Sequence, residues 1–101
     1  MRASVVIPTF NRLEKLQKVI KAIRSQIRPP DTDLEVVVVD DGSSDGTPEW
    51  LESQIENPGF RAIHQPNSGP ARARNQGVKA ASGDLILFLG DDTEPQPGWL
   101  A

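Results

Sequence analysis

Leu34-Glu35-Val36-Val37-Val38-Val39-Asp40-Asp41-Gly42-Ser43-Ser44-Asp45-Gly46-Thr47 decides the fold of this chain. Four consecutive valines predict a strand over 34–39 that is buried on both faces, as in a parallel sheet covered by helices. The apolar run stops at two adjacent carboxylates and gives way to a loop of glycine, serine and aspartate. Thr47-Pro48-Glu49 then has the form of an N-cap followed by proline in the first turn, opening a helix through about Ile55.

Upstream of that stretch, Ala3-Ser4-Val5-Val6-Ile7-Pro8 reads as a second buried strand, stopped by Pro8. Leu13, Leu16, Val19, Ile20, Ile23 and Ile27 recur at steps of three or four. That spacing predicts an amphipathic helix over 12–27, with Lys15, Lys18 and Lys21 off the apolar stripe and Pro29-Pro30 as its stop. Downstream, Asn57-Pro58-Gly59 is a turn, and Phe60 to His64 is a weaker strand expected near a sheet edge. Asn67-Ser68-Gly69-Pro70 opens a helix to about Ala81, with Gly83 as its expected C-cap. Asp84 to Leu89 is a fourth strand, followed at once by Gly90-Asp91-Asp92.

The order β-α-β-α-β-α-β calls for right-handed crossovers and a Rossmann-like, three-layer α/β/α fold with a mainly parallel four-stranded sheet. In such sheets the strand-to-helix loops gather at the carboxyl ends, where ligands bind. The unusual polar residues fall in those loops: Pro8 to Asn11, Asp40 to Asp45, Gln65 to Arg74, and Gly90 to Glu94. Four strand ends therefore feed one rim.

With 101 residues the chain makes one small domain. An apolar share of 37% beside 25% charged residues is ordinary for a globular chain. The absence of cysteine excludes a disulfide scaffold, a thiolate metal site and a cysteine nucleophile, and fits a reducing, cytoplasmic setting. One histidine excludes a multi-histidine metal site. The net charge of −3 argues against a nucleic-acid binder, which carries a basic excess. No apolar run approaches a membrane span, and Met1-Arg2 leads straight into the first strand rather than into a leader segment.

The rim brings two acidic pairs to one pole. Asp40-Asp41 and Asp91-Asp92 each follow a buried strand, and carboxylates at the ends of neighbouring strands repel unless something offsets them. Hard divalent cations such as Mg²⁺ or Mn²⁺ suit those oxygens, and Asp92 reads as functional because the acidic pair recurs at the same pole. Asp45-Gly46 reads instead as loop chemistry. The 69–81 helix points its N-terminus at the same rim, where free N–H groups and the positive dipole end favour an anion. Arg72 and Arg74 lie in its first turns and diverge by about 200°, so one of them faces a ligand and the other solvent. Acids for an ion opposite donors for phosphate oxygens form the arrangement a metal–diphosphate needs.

Other chemistries find no support. GxGxxG does not follow the first strand and GxxxxGK[ST] does not occur, which removes dinucleotide and P-loop sites. Ser43-Ser44 read as loop residues, and His64 reads as structural. Trp50 fits a helix face on the sheet, and Trp99 covers a pocket edge or sits in the tail. A receiver-like signalling domain also places acids at strand ends, but it needs them after the first and third strands. Here they follow the second and fourth.

Together these patches resemble the N-terminal, donor-binding half of a family 2 inverting glycosyltransferase of the GT-A fold. The resemblance rests on Val5 to Arg12, Val38 to Thr47, Asn67 to Gly77 and Phe88 to Asp92, taken in order, and covers nearly the whole chain. It implies transfer of a sugar from a nucleoside diphosphate donor, most commonly a UDP-sugar, to an acceptor hydroxyl in glycan, lipid-linked glycan or polysaccharide synthesis. Pro8, Thr9 and Phe10 would line the nucleobase and ribose pocket. Asp40 and, beside it, Asp41 would meet the base or ribose, Arg74 the nucleotide, and Asn75 would brace the loop. Asp91 would approach the ribose or bridge to the metal, and Asp92 would hold Mn²⁺ or Mg²⁺ on the diphosphate. Gly90 stands where many members carry the first acid of the DxD motif, leaving an x-D-D form. The family's catalytic base lies well after that motif. No residue within these 101 is therefore assigned as catalytic, the acceptor half is expected to be absent, and the chain alone is expected to show little or no transfer. The alternative reading is a nucleotide- or metal-binding module without transferase chemistry.

Overall fold

Alternation along two valine-rich strands builds two cores from one sheet. The computed structural model describes residues 2–26 and 32–95. The elements run β1 (Arg2–Thr9), α1 (Leu13–Arg24), β2 (Asp33–Asp40), α2 (Thr47–Gln54), β3 (Phe60–His64), α3 (Pro70–Ala80) and β4 (Leu85–Phe88). The sheet order is β3-β2-β1-β4, and every pair is parallel. Val5, Ile7, Val36 and Val38 face Leu16, Val19, Ile20 and Ile23 of α1 and Leu51 of α2, with Trp50 packed at the margin. Val6, Val37 and Val39 face the other way, against Ala73 of α3. Two helices thus cover one face and one helix the other, which is the expected three-layer fold. Burying each such side chain stabilises the fold by about 1.5–3 kcal/mol before entropy is counted.

The close approach of α3 depends on a residue with no side chain. A Cβ on Gly77 would stand 2.2 Å from Val6 Cγ1 and 3.3 Å from Val39 Cγ2. The helix backbone therefore rests directly on the valines.

Several local expectations are corrected. Pro8 does not stop β1, which runs on to Thr9. The Thr9 carbonyl faces β2 and accepts from Asp41 N–H, so Pro8 faces the opposite side, where β4 pairing has already ended at Val6–Phe88. A missing donor costs nothing there. Thr47 is not the N-cap of α2, because it already lies within the helix and Gly46 precedes it with φ 95°. Asp45 does the capping, for two helices at once. One oxygen accepts Thr47 N–H at 3.1 Å and the other accepts Leu13 N–H, at the start of α1, at 3.1 Å. Gly83 is not a C-cap. It passes so close to β1 that a Cβ would meet Ser4 Oγ at 2.5 Å, and its N–H donates to that oxygen. The observed α1 ends at Arg24, and Ile27, Pro29 and Pro30 lie outside the described residues, as does Trp99. Because β1 separates β2 from β4, the two acidic pairs flank a strand rather than sit on neighbours.

One carboxylate lies within the buried strand β2 itself. Glu35, inside β2, is buried and accepts from Ser4 Oγ, Ser82 N–H and Ser82 Oγ at 2.8–3.0 Å. Guanidinium groups of Arg61 and Arg2 stand 3.5 and 3.8 Å away. Burial pushes this carboxyl up, but the Ser82 and Ser4 bonds and the charge of Arg2 outweigh it and hold Glu35 below its usual range. This cluster closes the amino pole of the sheet. Among the described residues, no helix is long and apolar enough to cross a membrane.

Gly77→Ala tests the packing of α3. Alanine favours a helix by about 1 kcal/mol, yet overpacking against Val6 at the upper end of about 1–3 kcal/mol should leave a net loss of about 1–2 kcal/mol in urea denaturation. An unchanged midpoint would show that α3 does not rest on the valines as described.

Candidate functional site

At the carboxyl pole the loops after β1, β2, β3 and β4 enclose an open hollow of about 500 Å³. Pro8, Thr9, Phe10 and Arg12 form one wall, Asn67, Gly69, Pro70 and Ala73 the other, with Asp41, Gly90 and Asp91 between them. Five of the eight expected site residues therefore line one space: Pro8, Thr9, Phe10, Asp41 and Asp91. Asp92 lies at the edge of the hollow, joined to the wall through Arg12.

Strand alternation separates the two aspartates that follow the valines. Asp40 continues the face of Val36 and Val38, toward α1 and α2. Its carboxylate accepts Ser43 N–H at 3.0 Å and contacts His64 Nδ1 at 3.3 Å. Asp41 turns toward α3. It accepts Gln65 Nε2 at 2.8 Å, Ser68 N–H at 2.7 Å and Gly69 N–H at 3.1 Å. Burial pushes Asp41 up, but these three bonds outweigh it and hold the carboxyl below its ordinary value. Asp41 thus fixes the turn that leads into α3, and uses part of that helix end's positive field. Pro70 brings no N–H, so Ala71 and Arg72 supply the donors for which helix geometry provides no carbonyl partner.

The second acidic pair is organised by a residue without an assigned role in the sequence reading. Arg12 Nη1 lies 3.4 Å from Asp91 Oδ1 and 3.0 Å from Asp92 Oδ2. Thr9 Oγ1 donates to the other Asp91 oxygen at 3.0 Å. Asp91 is largely covered, whereas Asp92 is about half-exposed. Arg12 was legible in part: it lies with Phe10 in the short loop between β1 and α1. Its partners, however, lie about eighty positions away.

Arg72 and Arg74 flank the buried Ala73, so neither lines the hollow, and both are exposed along with Asn75. No cluster of three or more carboxylate, histidine or cysteine side chains forms a metal cage among the described residues. Asp91 and Asp92 nevertheless converge on one cationic group. Two hard oxygen donors at an open edge suit a divalent ion that keeps water and phosphate ligands.

A parallel sheet with a carboxylate-edged hollow against a helix N-terminus defines an α/β domain of the kind that binds ligands at its strand ends. More particularly, the chain belongs to glycosyl transferase family 2, whose family model matches residues 4–101. It is 38% identical over 103 residues to the GalNAc(5)-diNAcBac-PP-undecaprenol beta-1,3-glucosyltransferase of Campylobacter jejuni, covering 99% of this chain and 32% of that protein. Among solved structures it resembles S. aureus TarS in complex with UDP-GlcNAc, with TM-score 0.80 and 33% identity over 91% of this chain and 27% of that one. The mannosyltransferase PcManGT of Pyrobaculum calidifontis, solved with GDP-Man and Mn²⁺, gives TM-score 0.80 and 30% identity over 90% of this chain and 27% of that one. The chain thus spans about a third or less of the proteins it matches.

Asp41→Asn should lower stability at neutral pH by about 1–3 kcal/mol, since it weakens charge-assisted bonds to a buried carboxylate. A carboxyl depressed when folded stabilises fully above its unfolded value of 3.8 and loses that contribution as pH falls through the folded value. The gap between wild type and variant in urea titrations should therefore close in acid. A gap independent of pH would contradict this role for Asp41.

Proposed function

We propose that this chain is the donor half of a metal-dependent, inverting glycosyltransferase that takes a sugar from a nucleoside diphosphate, UDP foremost, for an acceptor hydroxyl on a glycan or lipid-linked glycan. The observation that carries the reading is the hollow itself, where Thr9, Asp41, Asp91 and the start of α3 meet. Its support from relatives is that both TarS and PcManGT were solved with nucleoside diphosphate sugars. The lipid-linked acceptor rests on the name of the Campylobacter relative.

The side chains divide the work in this reading. Phe10, 42% exposed at the mouth, offers an aromatic face to the base. Thr9 and Asp41 supply polar edges for base and ribose. The Ala71 and Arg72 N–H groups, with Arg72 and Arg74 beyond them, give the diphosphate a positive end. Asp92, backed by Asp91, would hold Mn²⁺ or Mg²⁺ once Arg12 yields its place between them. The bound ion would offset charge on the departing diphosphate. Arg12, released from the two carboxylates, stays in the wall as a cation for phosphate oxygens. The carboxylates lining the hollow are committed: Asp41 to three donors, and Asp91 to Thr9 and, in this reading, to the ion. The reading therefore assigns donor binding to this chain and not removal of the acceptor's proton.

Calorimetric titration with UDP, with and without Mn²⁺, tests the assignment, with Asp92→Ala as the partner measurement. Binding should require the ion and weaken at least about tenfold in the variant, the scale of losing one charged contact. Equal binding without Mn²⁺, or by the variant, would count against it. GDP and dTDP in the same cell rank the base preference.

A further inference from the structure

We propose that His64 is a positioning residue for the nucleotide hollow: by bridging Glu52 and Asp40 it holds the 40–45 loop, and through that loop the Phe10–Arg12 wall. The proposal rests on the donor-site reading above and names a part of it that neither the family match nor the relatives assign.

His64 ends β3 and pairs in register with Asp40 at the end of β2. Its Nε2 lies 2.9 Å from Glu52 of α2, and its Nδ1 lies 3.3 Å from the buried carboxylate of Asp40. Glu49, also on α2, lines with Glu52 and His64 a second surface hollow, separate from the nucleotide hollow. Carboxylates only accept hydrogen bonds, so both contacts are satisfied together only by the imidazolium, which donates at both nitrogens. A neutral ring turns one lone pair toward an acid.

From Asp40 the contacts run on without a gap. The other Asp40 oxygen accepts Ser43 N–H at 3.0 Å. Ser43 Oγ accepts Asn11 N–H at 2.9 Å, and Asn11 Oδ1 accepts Ser44 N–H at 2.7 Å. Asn11 has φ 50°, a conformation that needs such local bonds to persist. It stands between Phe10 and Arg12, both in the wall of the hollow. The same loop touches the opposite wall, because a Cβ on Gly42 would lie 2.8 Å from the backbone nitrogen of Asn67. A loosened 40–45 loop therefore reaches both sides of the nucleotide.

The bond to Glu52 foremost, then that to Asp40 and the charges of both acids, lift His64 above its ordinary 6.5 against the opposing effect of burial. A group raised on folding stabilises fully below its unfolded value and loses that contribution as pH rises through the folded value. The loop is thus held at pH 6.5 and released above the folded value.

The test compares the 101-residue wild type with His64→Gln and Glu52→Gln, using UDP with Mn²⁺ as ligand over about pH 6–9. Wild-type affinity, taken as a ratio to His64→Gln so that titration of UDP itself cancels, should fall about three- to tenfold across the transition, a part of what one charged bond contributes. Glu52→Gln alters only an exposed side chain, keeps the fold if His64→Gln does not, and should move the transition to lower pH. Amide exchange of Asn11, Ser43 and Ser44 gives a readout that needs no nucleotide. Their protection at pH 6.5 should be lower in His64→Gln than in wild type. Equal protection in both, or an unmoved transition in Glu52→Gln, overturns the proposal. Protection that responds as stated in a chain that binds no UDP at any pH refutes the donor reading and leaves the hold of His64 on the loop standing.

Discussion

A run of four valines buried on both faces has no room for charge among them, so charge collects where the run ends, at Glu35 on one side and at Asp40 and Asp41 on the other. The rest of this structure follows from how those charges are met. Asp40 and Asp41 leave the sheet on opposite sides because strand neighbours alternate, and each recruits the element on its own side. Asp40 draws in His64, and through it α2. Asp41 takes the turn before α3. The loops around the hollow are ordered by carboxylates seeking donors, over a sheet ordered by valines avoiding water.

The two poles answer the same constraint differently. At the amino pole Glu35 meets two serines and two arginines, and the cluster is closed. At the carboxyl pole the acids are distributed among separate loops, and their partners leave a space between them. Carboxylates hold the walls, a helix end supplies donors, and Arg12 sits where two acids converge. A charge-rich space of this kind suits an anionic ligand carried with a cation. The family to which the chain belongs gives that physical description its chemical meaning.

Much of the fold was legible because it depends on local periodicity. The valine runs gave the strands, steps of three and four gave α1, and proline and glycine marked the turns. The parallel sheet followed from element order. Strand order did not, since nothing local places β1 between β2 and β4. Asp45 capping two helices was equally hidden: its second partner, Leu13, lies thirty-two positions away. The role of Gly77 was hidden as well, since only the packed structure shows it as the notch that admits Val6.

The site divides along the same line. That the strand-end loops share one pole was readable from topology, and with it the gathering of Pro8, Thr9, Phe10, Asp41 and Asp91. The distinct placing of Asp40 and Asp41 was readable too, had the alternation of the valines been carried two residues further. The link from Arg12 to Asp91 and Asp92 was not, because charge pairing across a sheet end leaves no spacing in the sequence. The arginines of α3 drew attention through proximity to the helix start, but Ala73 takes the inward position and sets both neighbours to the sides.

In the proposed reading a nucleoside diphosphate and its metal sit on this rim, with the ion at Asp91 and Asp92. Paramagnetic broadening of backbone amides by Mn²⁺–UDP tests it directly. The account predicts selective loss of the Thr9, Arg12, Asp91 and Asp92 signals, while Asn57 and Gly59 at the opposite pole stay sharp. Broadening centred on the amino pole, or spread evenly over the acidic surface, would contradict it.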